Sequence, residues 1–558
     1  MSEKELRIVF LVGSDSASTR AAVESVCRLP GIVPAGVVLD TFTPPASARF
    51  RNLRRNIRKE GYSYVLRRAL NALVDATEAA MDRASYRSQA RALLAKAFPD
   101  MAYSLEDLCA KEGMPLIEAG NLNSPEAVEK IRRTNADLGI VLGTRLLKRD
   151  TFSAPRLGSI NLHKGSVPDY RGTPPGFWEM YNAEKNAGVT VHYVDDSLDT
   201  GDIVASAQVE ILPLDTPETL LIKLHRAGTE TLATAVRAIQ SGAAGPVKQP
   251  AGTRKPYSRP THRQVQELRR RLPHWNRPSP WSALAKNLYV LAVYHSGTFR
   301  LVKWWHSRGK SRAAIILYHR VNDYSRDPLT ASTEEFAAQI ALIARWYKPI
   351  CTSELVERLR KGESIPGTAV AIHFDDCYRD VFTFALPLLR ELKFPATAFV
   401  NSAFVGTQRA FAHDTKKSPF RFENFTIEDL RALPESGFEI GAHTANHVDL
   451  GVCPIEEAQR EIRECAEDLK HMTGREIRLF SYPFGKERNI RREVVPIVKE
   501  AGCECMFSAF GGFVGPGTDL FDIPRFGVFG MHHPLYVALE IEGLAPNAIK
   551  KGIRSWFR

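Results

Sequence analysis

The chain has no apolar run of the ~18 to 20 residues that a membrane-spanning helix needs. Its eight cysteines (Cys27, Cys109, Cys351, Cys377, Cys453, Cys465, Cys503, Cys505) follow no framework spacing and form no C-x-x-C pair. That argues against a disulfide scaffold or a zinc ribbon and for reduced thiols. The first residues, Met1 to Arg7, offer no signal-peptide hydrophobic region and lead straight into the strand-like Ile8 to Val12. Export is therefore not expected, and a cytoplasmic protein is. No internal repeat is found, so the two halves are expected to be different folds. Acid is nearly missing from Gly245 to Arg312, where fifteen Lys or Arg stand against Glu267 alone.

With 558 residues the chain is too long for one core. Its 44% hydrophobic and 25% charged residues are ordinary for a globular protein. The net charge of +12 is less than the surplus of 14 in residues 245–312. A second basic stretch, Arg49 to Arg68, holds eight basic residues and one acid, Glu60. Such segments suit anionic lipid, nucleic acid or a phosphorylated substrate, or they are simply solvated. Strand, turn, helix and strand over residues 7–39 open an α/β unit with a parallel sheet. Residues 49–112 read as a helical insertion, and the α/β rhythm returns at Ala136 to Gly143. Residues 245–312 read as a proline-rich basic linker. Within it, Trp281 to Trp305 is amphipathic and aromatic, either an interfacial membrane helix or a helix packed between domains. From residue 313 strands and helices alternate again.

The run Ser159 to Gly172 sets Asn161 and His163 two apart on a strand, so both face one side. Gly188 to Val204 follows as a strand and a tight Asp-Thr-Gly loop carrying Asp199. Transfer of a one-carbon acyl group to an amine needs a proton acceptor, a donor for the tetrahedral oxyanion and a carboxylate to hold the imidazole. The ordered motifs I-N-L-H, V-P-D-Y-R-G and G-V-T-V-H-Y-V-D-D-S-L-D-T-G resemble the 10-formyltetrahydrofolate-dependent formyltransferases over roughly residues 5–240. That resemblance implies a Rossmann-like domain with a parallel sheet, over residues 1–244. It makes His163 the central acid–base residue, with Asn161 and Asp199 assisting. It also implies that Leu142, Gly143, Asp195 and Gly201 border the folate. His163-Lys164-Gly165 departs from the family's His-Pro-Ser, on the acceptor side.

In the second half, Ala369 to Asp376 reads as a buried strand ending in two acids, and Glu439 to His443 as a strand ending in a histidine. His443 and His447, four apart, share one face of a helical turn. With Asp376 they make a facial metal site, and Asp375 is left free as a base. His373-Phe-Asp-Asp-Cys377, His443 to His447 and Ser481-Tyr-Pro-Phe-Gly485 resemble motifs of the NodB-type polysaccharide deacetylases, with a distorted (β/α) barrel. Ser481 stands where the family has an arginine that holds the aspartate, and Arg525 is a candidate substitute. No late L-x-H motif is found at His532 or His533; His319, after Ile315 to Tyr318, opens the domain instead. The order resembles the circularly permuted branch and implies that His319 protonates the leaving amine. Cys377 would set a thiol near the metal.

Together these readings give a bifunctional α/β enzyme: N-formyl transfer and metal-dependent N-deacetylation, with an amino sugar on a nucleotide or lipid carrier as substrate. Zinc suits the ligands, with cobalt, nickel and iron open. The alternative is a formyltransferase, with tRNA among its candidate acceptors, carrying a non-catalytic carbohydrate-binding domain. The absence of a tRNA-holding barrel after residue 244 argues against nucleic acid.

Overall fold

The computed structural model describes residues 5–85, 87–242, 245–250, 254–275, 279–309, 312–365, 367–528 and 533–546. His532 lies outside them. The chain divides into two compact units, Met1–Arg68 with Asp100–Arg277, and Ala69–Pro99 with Pro278–Arg558.

The first unit is built on strands β1 (Leu6–Val12), β2 (Ile32–Asp40), β3 (Leu116–Ala119), β4 (Leu138–Leu142), β5 (Ser159–His163), β6 (Asn186–Tyr193) and β7 (Ile203–Glu210). They form one sheet in the order β3-β2-β1-β4-β5-β6-β7. The first five pair in parallel and β6 and β7 are antiparallel. Ile8 to Val12 and Leu138 to Leu142 are buried throughout, as continuous apolar runs in a parallel sheet should be. β7 alternates burial along its length, because it is an edge with one wet face. β5 and β6 run antiparallel with Asn161 opposite His192 and His163 opposite Thr190. This antiparallel pair therefore carries polar residues into the otherwise apolar sheet.

The second unit holds an eight-stranded curled sheet of parallel pairs, a half-barrel. Arg312–Tyr318 pairs with Thr368–Phe374, which pairs with Ala396–Val400, which pairs with Phe438–Ala442. In this register Phe374 stands opposite Tyr318, so Asp375 and His319 leave the sheet side by side. His443 follows directly on Ala442. Three chemistry-bearing residues thus leave the carboxyl ends of three strands, where barrel enzymes build their sites.

Two segments differ from their expected roles. The helical stretch 49–112 is shared: the helix Ala46–Glu60 falls in the first unit, while Arg87–Ala97 packs on Thr333–Trp346 in the second. Residues 245–312 are divided in the same way. Leu268 and Trp275 join a core of the first unit with Tyr170, Phe177 and Trp178. Val290, Tyr294 and Phe299 join a core of the second with Leu342 and Leu535. Widely spaced apolar anchors among prolines and arginines disguise packed structure as a linker. The amphipathic stretch is two helices, Pro280–His295 and Thr298–Gly309, broken at Gly297 with φ of 82°. Trp281, Leu288, Leu301, Trp304 and Trp305 stay exposed.

Candidate active sites

In the first unit β5 delivers Asn161 and His163, and the loop between β6 and β7 brings Asp199 back to them. Asp199 adopts φ of 53°, the left-handed region that an aspartate tolerates better than most residues. Its Oδ2 lies 3.5 Å from His163 Nδ1 and accepts the Gly172 N–H at 3.1 Å. Gly172 has φ of 92°, and a Cβ there would come within 2.2 Å of the Tyr257 carbonyl oxygen, so glycine is required. His163 Nε2 donates to the Tyr170 carbonyl at 2.8 Å. The neutral ring therefore keeps its lone pair at Nδ1, facing Asp199. A proton gained there would be held between a carbonyl and a carboxylate. Burial lowers the His163 pKa, with Asp199 and the Tyr170 carbonyl opposing. Burial raises Asp199, but the nearby His192 and His163 and the Gly172 N–H outweigh it and leave it below its ordinary value.

Asn161 Nδ2 donates to His192 Nε2 at 3.2 Å and to Asp199 Oδ1 at 3.4 Å. His192 is a member of the cluster that the sequence reading passed over. Its only signal is the cross-strand partnership with Asn161, which needs the register.

Of the residues expected to border folate, Gly143 lines a large cavity and Asp195 a smaller one. Asp195 also accepts the Thr200 hydroxyl and the Ser197 N–H. Leu142 packs into the main core. Gly201 lies against the Tyr193 carbonyl, and its own carbonyl accepts from Gln249 Nε2 at 2.7 Å.

In the second unit Asp376, His443 and His447 bring one ligand atom each to within 4.8 Å of one another. His443 Nδ1 donates to the Ser481 carbonyl at 2.8 Å, which turns the Nε2 lone pair toward Asp376. Asp376 Oδ1 lies 3.8 Å from His443 Nε2 and 3.2 Å from His447 Nε2. Both Asp376 oxygens are buried without a hydrogen-bond partner among the described residues. A buried carboxylate with no donor, faced by imidazole nitrogens, fits a divalent cation. Burial pushes His443 down to about 4, the neutral ligand form. Asp376, Thr444 and His447 have φ of 73°, 60° and 59°.

Asp375 is gripped by Arg525. Both guanidinium nitrogens Nη1 and Nη2 donate to its two oxygens at 2.7 Å, and Nη2 also reaches Ser481 Oγ at 2.7 Å. The arginine missing before Tyr482 is thus supplied from Ile523-Pro-Arg525, with the small Ser481 making room. Burial raises Asp375, and the Arg525 charge with His443 reverses the direction and holds it below its usual value. Burial lowers the His319 pKa, opposed by Asp376 and Asp375 close by.

His413, on the short helix Ala412–Lys417, was not foreseen. Its Nε2 lies 3.6 Å from Asp376 Oδ2 and 2.9 Å from the Tyr378 hydroxyl, which donates to Asp414. Cys377 belongs to no metal group among the described residues. It is fully buried, and burial pushes its thiol up, away from the thiolate that a metal would need.

Comparisons with known proteins bear on the two domains that hold these clusters. Residues 82–236 match the family model "Formyl transferase" and residues 363–506 match "Polysaccharide deacetylase". The chain therefore carries a formyl transferase domain followed by a polysaccharide deacetylase domain. It is similar to the methionyl-tRNA formyltransferases of Flavobacterium johnsoniae (29% identical over 25% of this chain and 44% of that protein) and Clostridioides difficile (32% over 25% and 45%). The chain thus spans less than half the length of these curated relatives. Among solved structures, the Streptococcus pyogenes deacetylase PplD matches at 18% identity over 42% of this chain and 99% of that one, with a TM-score of 0.36. Glycinamide ribonucleotide transformylase 1 from Symbiobacterium toebii matches at 17% over 43% and 89%, with a TM-score of 0.29. Among the described residues no helix is long and apolar enough to cross a membrane.

Proposed function

We propose that the first unit transfers the formyl group of 10-formyltetrahydrofolate to an amine, and that the second hydrolyses an N-acyl group from a carbohydrate. An amino sugar on a nucleotide or lipid carrier is the substrate in common: one site frees an amine and the other caps one. The observation that carries this reading is the buried, donor-free Asp376 carboxylate beside His443 and His447, in a chain that also holds the Asn161–His163–Asp199 cluster.

In formyl transfer His163 takes the amine proton at Nδ1, and Asp199 steadies the resulting imidazolium. The long 3.4 Å bond from Asn161 to Asp199 is the one that a developing oxyanion can replace. In deacylation Asp376, His443 and His447 would hold a divalent cation, zinc by ligand type. Such a cation acidifies water and polarises a carbonyl. Asp375, oriented at both oxygens by Arg525, accepts the proton, and His319 supplies one to the leaving amine. Arg525 removes the reason, a missing arginine, to read this domain as a binding module alone. The exposed Trp304 and Trp305 among basic residues support peripheral contact with an anionic membrane face.

The test is mass spectrometry of the protein with zinc, 10-formyltetrahydrofolate and a panel of N-acetylated sugar nucleotides and lipid-linked sugars. Loss of acetyl followed by gain of formyl is expected. Asp376→Ala should abolish the first step and His163→Ala the second. Neither reaction on any amino-sugar derivative would refute the reading.

A further inference from the structure

Two cavities of the first unit adjoin at Thr144, Asn161, Leu198 and Asp199. The smaller is lined by Leu146, Val194 and Asp195, on the side where the folate is expected. The larger, of about 990 Å³, reaches Gly143 as well as Asn161, His163 and Asp199, and extends from them to the helix Ala46–Glu60 and to Arg259. Five cations line it: Arg55, Lys59, Arg68, Lys164 and Arg259. None of them makes an ion pair among the described residues; Arg68 only touches the Tyr64 hydroxyl at 3.3 Å. The acids on the wall are Glu60, already paired with Arg67 at 2.9 Å, and the catalytic Asp199.

Arg55 and Lys59 stand four apart on the helix Ala46–Glu60, so they share a face. Like charges at that spacing disfavour a helix, and the nearby carboxylate is spent elsewhere. A second basic element, Arg259, comes from the segment after the sheet. Unpaired arginine and lysine converging in a concave site suit phosphoryl oxygens, which arginine binds through two parallel N–H groups. The cavity is at the upper end of small-ligand size, ~300 to 1,000 Å³.

We infer that the larger cavity is the acceptor site, and that Arg55, Lys59 and Arg259 bind a phosphate or diphosphate group carried by the amine that is formylated. This rests on the formyl-transfer reading of His163. A nucleotide-linked and a lipid-linked amino sugar both present that group, and the cavity recognises the chemistry common to both.

Calorimetric titration of the full chain tests it, with inorganic diphosphate, a nucleoside diphosphate, farnesyl phosphate in non-ionic micelles, 5-formyltetrahydrofolate and unmodified transfer RNA as probes. The wild type should bind inorganic diphosphate saturably at one site. The exposed double variant Arg55→Ala/Lys59→Ala, and Arg259→Ala, should weaken it at least ~10-fold with an unchanged circular dichroism spectrum and unchanged 5-formyltetrahydrofolate affinity. Tighter binding of the nucleoside diphosphate would support the inference with a nucleotide carrier, and tighter binding of farnesyl phosphate with a lipid carrier. Absence of saturable binding by all three small probes overturns it, and so does binding that the variants do not weaken. A parallel loss of folate affinity overturns it as well, because the cations would then serve the glutamate tail of the donor; so does binding of RNA alone. His163→Ala should keep diphosphate binding while losing transfer. A wild type that binds diphosphate but formylates no amine would refute the catalytic reading and leave the anion site standing.

Discussion

Replacing Arg525 by methionine is the most searching single perturbation of the second unit. The guanidinium is fully buried and makes four hydrogen bonds: two to Asp375, one to Ser481 Oγ and one from Nε to the Ser508 carbonyl at 2.8 Å. Methionine fills much of the volume but leaves Asp375 charged, buried and without its counter-ion. Breaking a buried pair in this way costs ~3 to 5 kcal/mol. Asp375→Asn removes the stranded charge, so Arg525→Met/Asp375→Asn should recover part of that loss, with a coupling of at least ~1 kcal/mol. The assay is denaturant unfolding in chelator, followed separately for each unit by hydrogen exchange, since a two-unit chain need not unfold in one step. The second unit alone should lose protection. A loss below ~1 kcal/mol for Arg525→Met, or strict additivity in the cycle, would refute the view that this arginine neutralises and aims Asp375.

Glu179, buried with Oε1 unpartnered, is pushed by burial up to about 7 against an ordinary 4.5. A raised carboxyl favours folding below its unfolded pKa and costs stability as pH rises through 7, up to ~3 kcal/mol at 1.36 kcal/mol per unit. Glu179→Gln should therefore stabilise the first unit at pH 8 and hardly at pH 4; an equal effect at both pH values would sink the assignment. His413→Ala should weaken zinc binding ~10-fold in a chelator competition, as loss of an outer-sphere partner of a ligand does; unchanged affinity would remove His413 from the site. Trp304→Ser/Trp305→Ser should reduce sedimentation with anionic vesicles, and retention of full binding would reject the interfacial helix pair.

Much of this was legible beforehand because parallel strands announce themselves as buried apolar runs. Ile8 to Val12 and Ala369 to Phe374 need no partner to be recognised. Residues that leave such strands, like Asp375, Asp376 and His443, inherit their place from the strand. Arg525 could only be nominated, since nothing local says that a guanidinium 150 residues away in sequence reaches Asp375. His192 and His413 were invisible for a related reason. One depends on antiparallel register across β5 and β6, the other on a loop helix that brings His413 to Asp376. The basic residues 245–312 misled because composition counts charges and not the few buried anchors such as Leu268, Trp275 and Phe299.

The left-handed backbone at Asp376, Thr444 and His447 has an evolutionary consequence. Each is a residue with a side chain held where glycine would rest more easily. A population screened only for heat resistance of the metal-free chain would drift toward glycine at these positions. It would gain robustness and lose, at 376 and 447, the side chains that the proposed cation site needs. Durability and the proposed chemistry therefore pull these three positions in opposite directions.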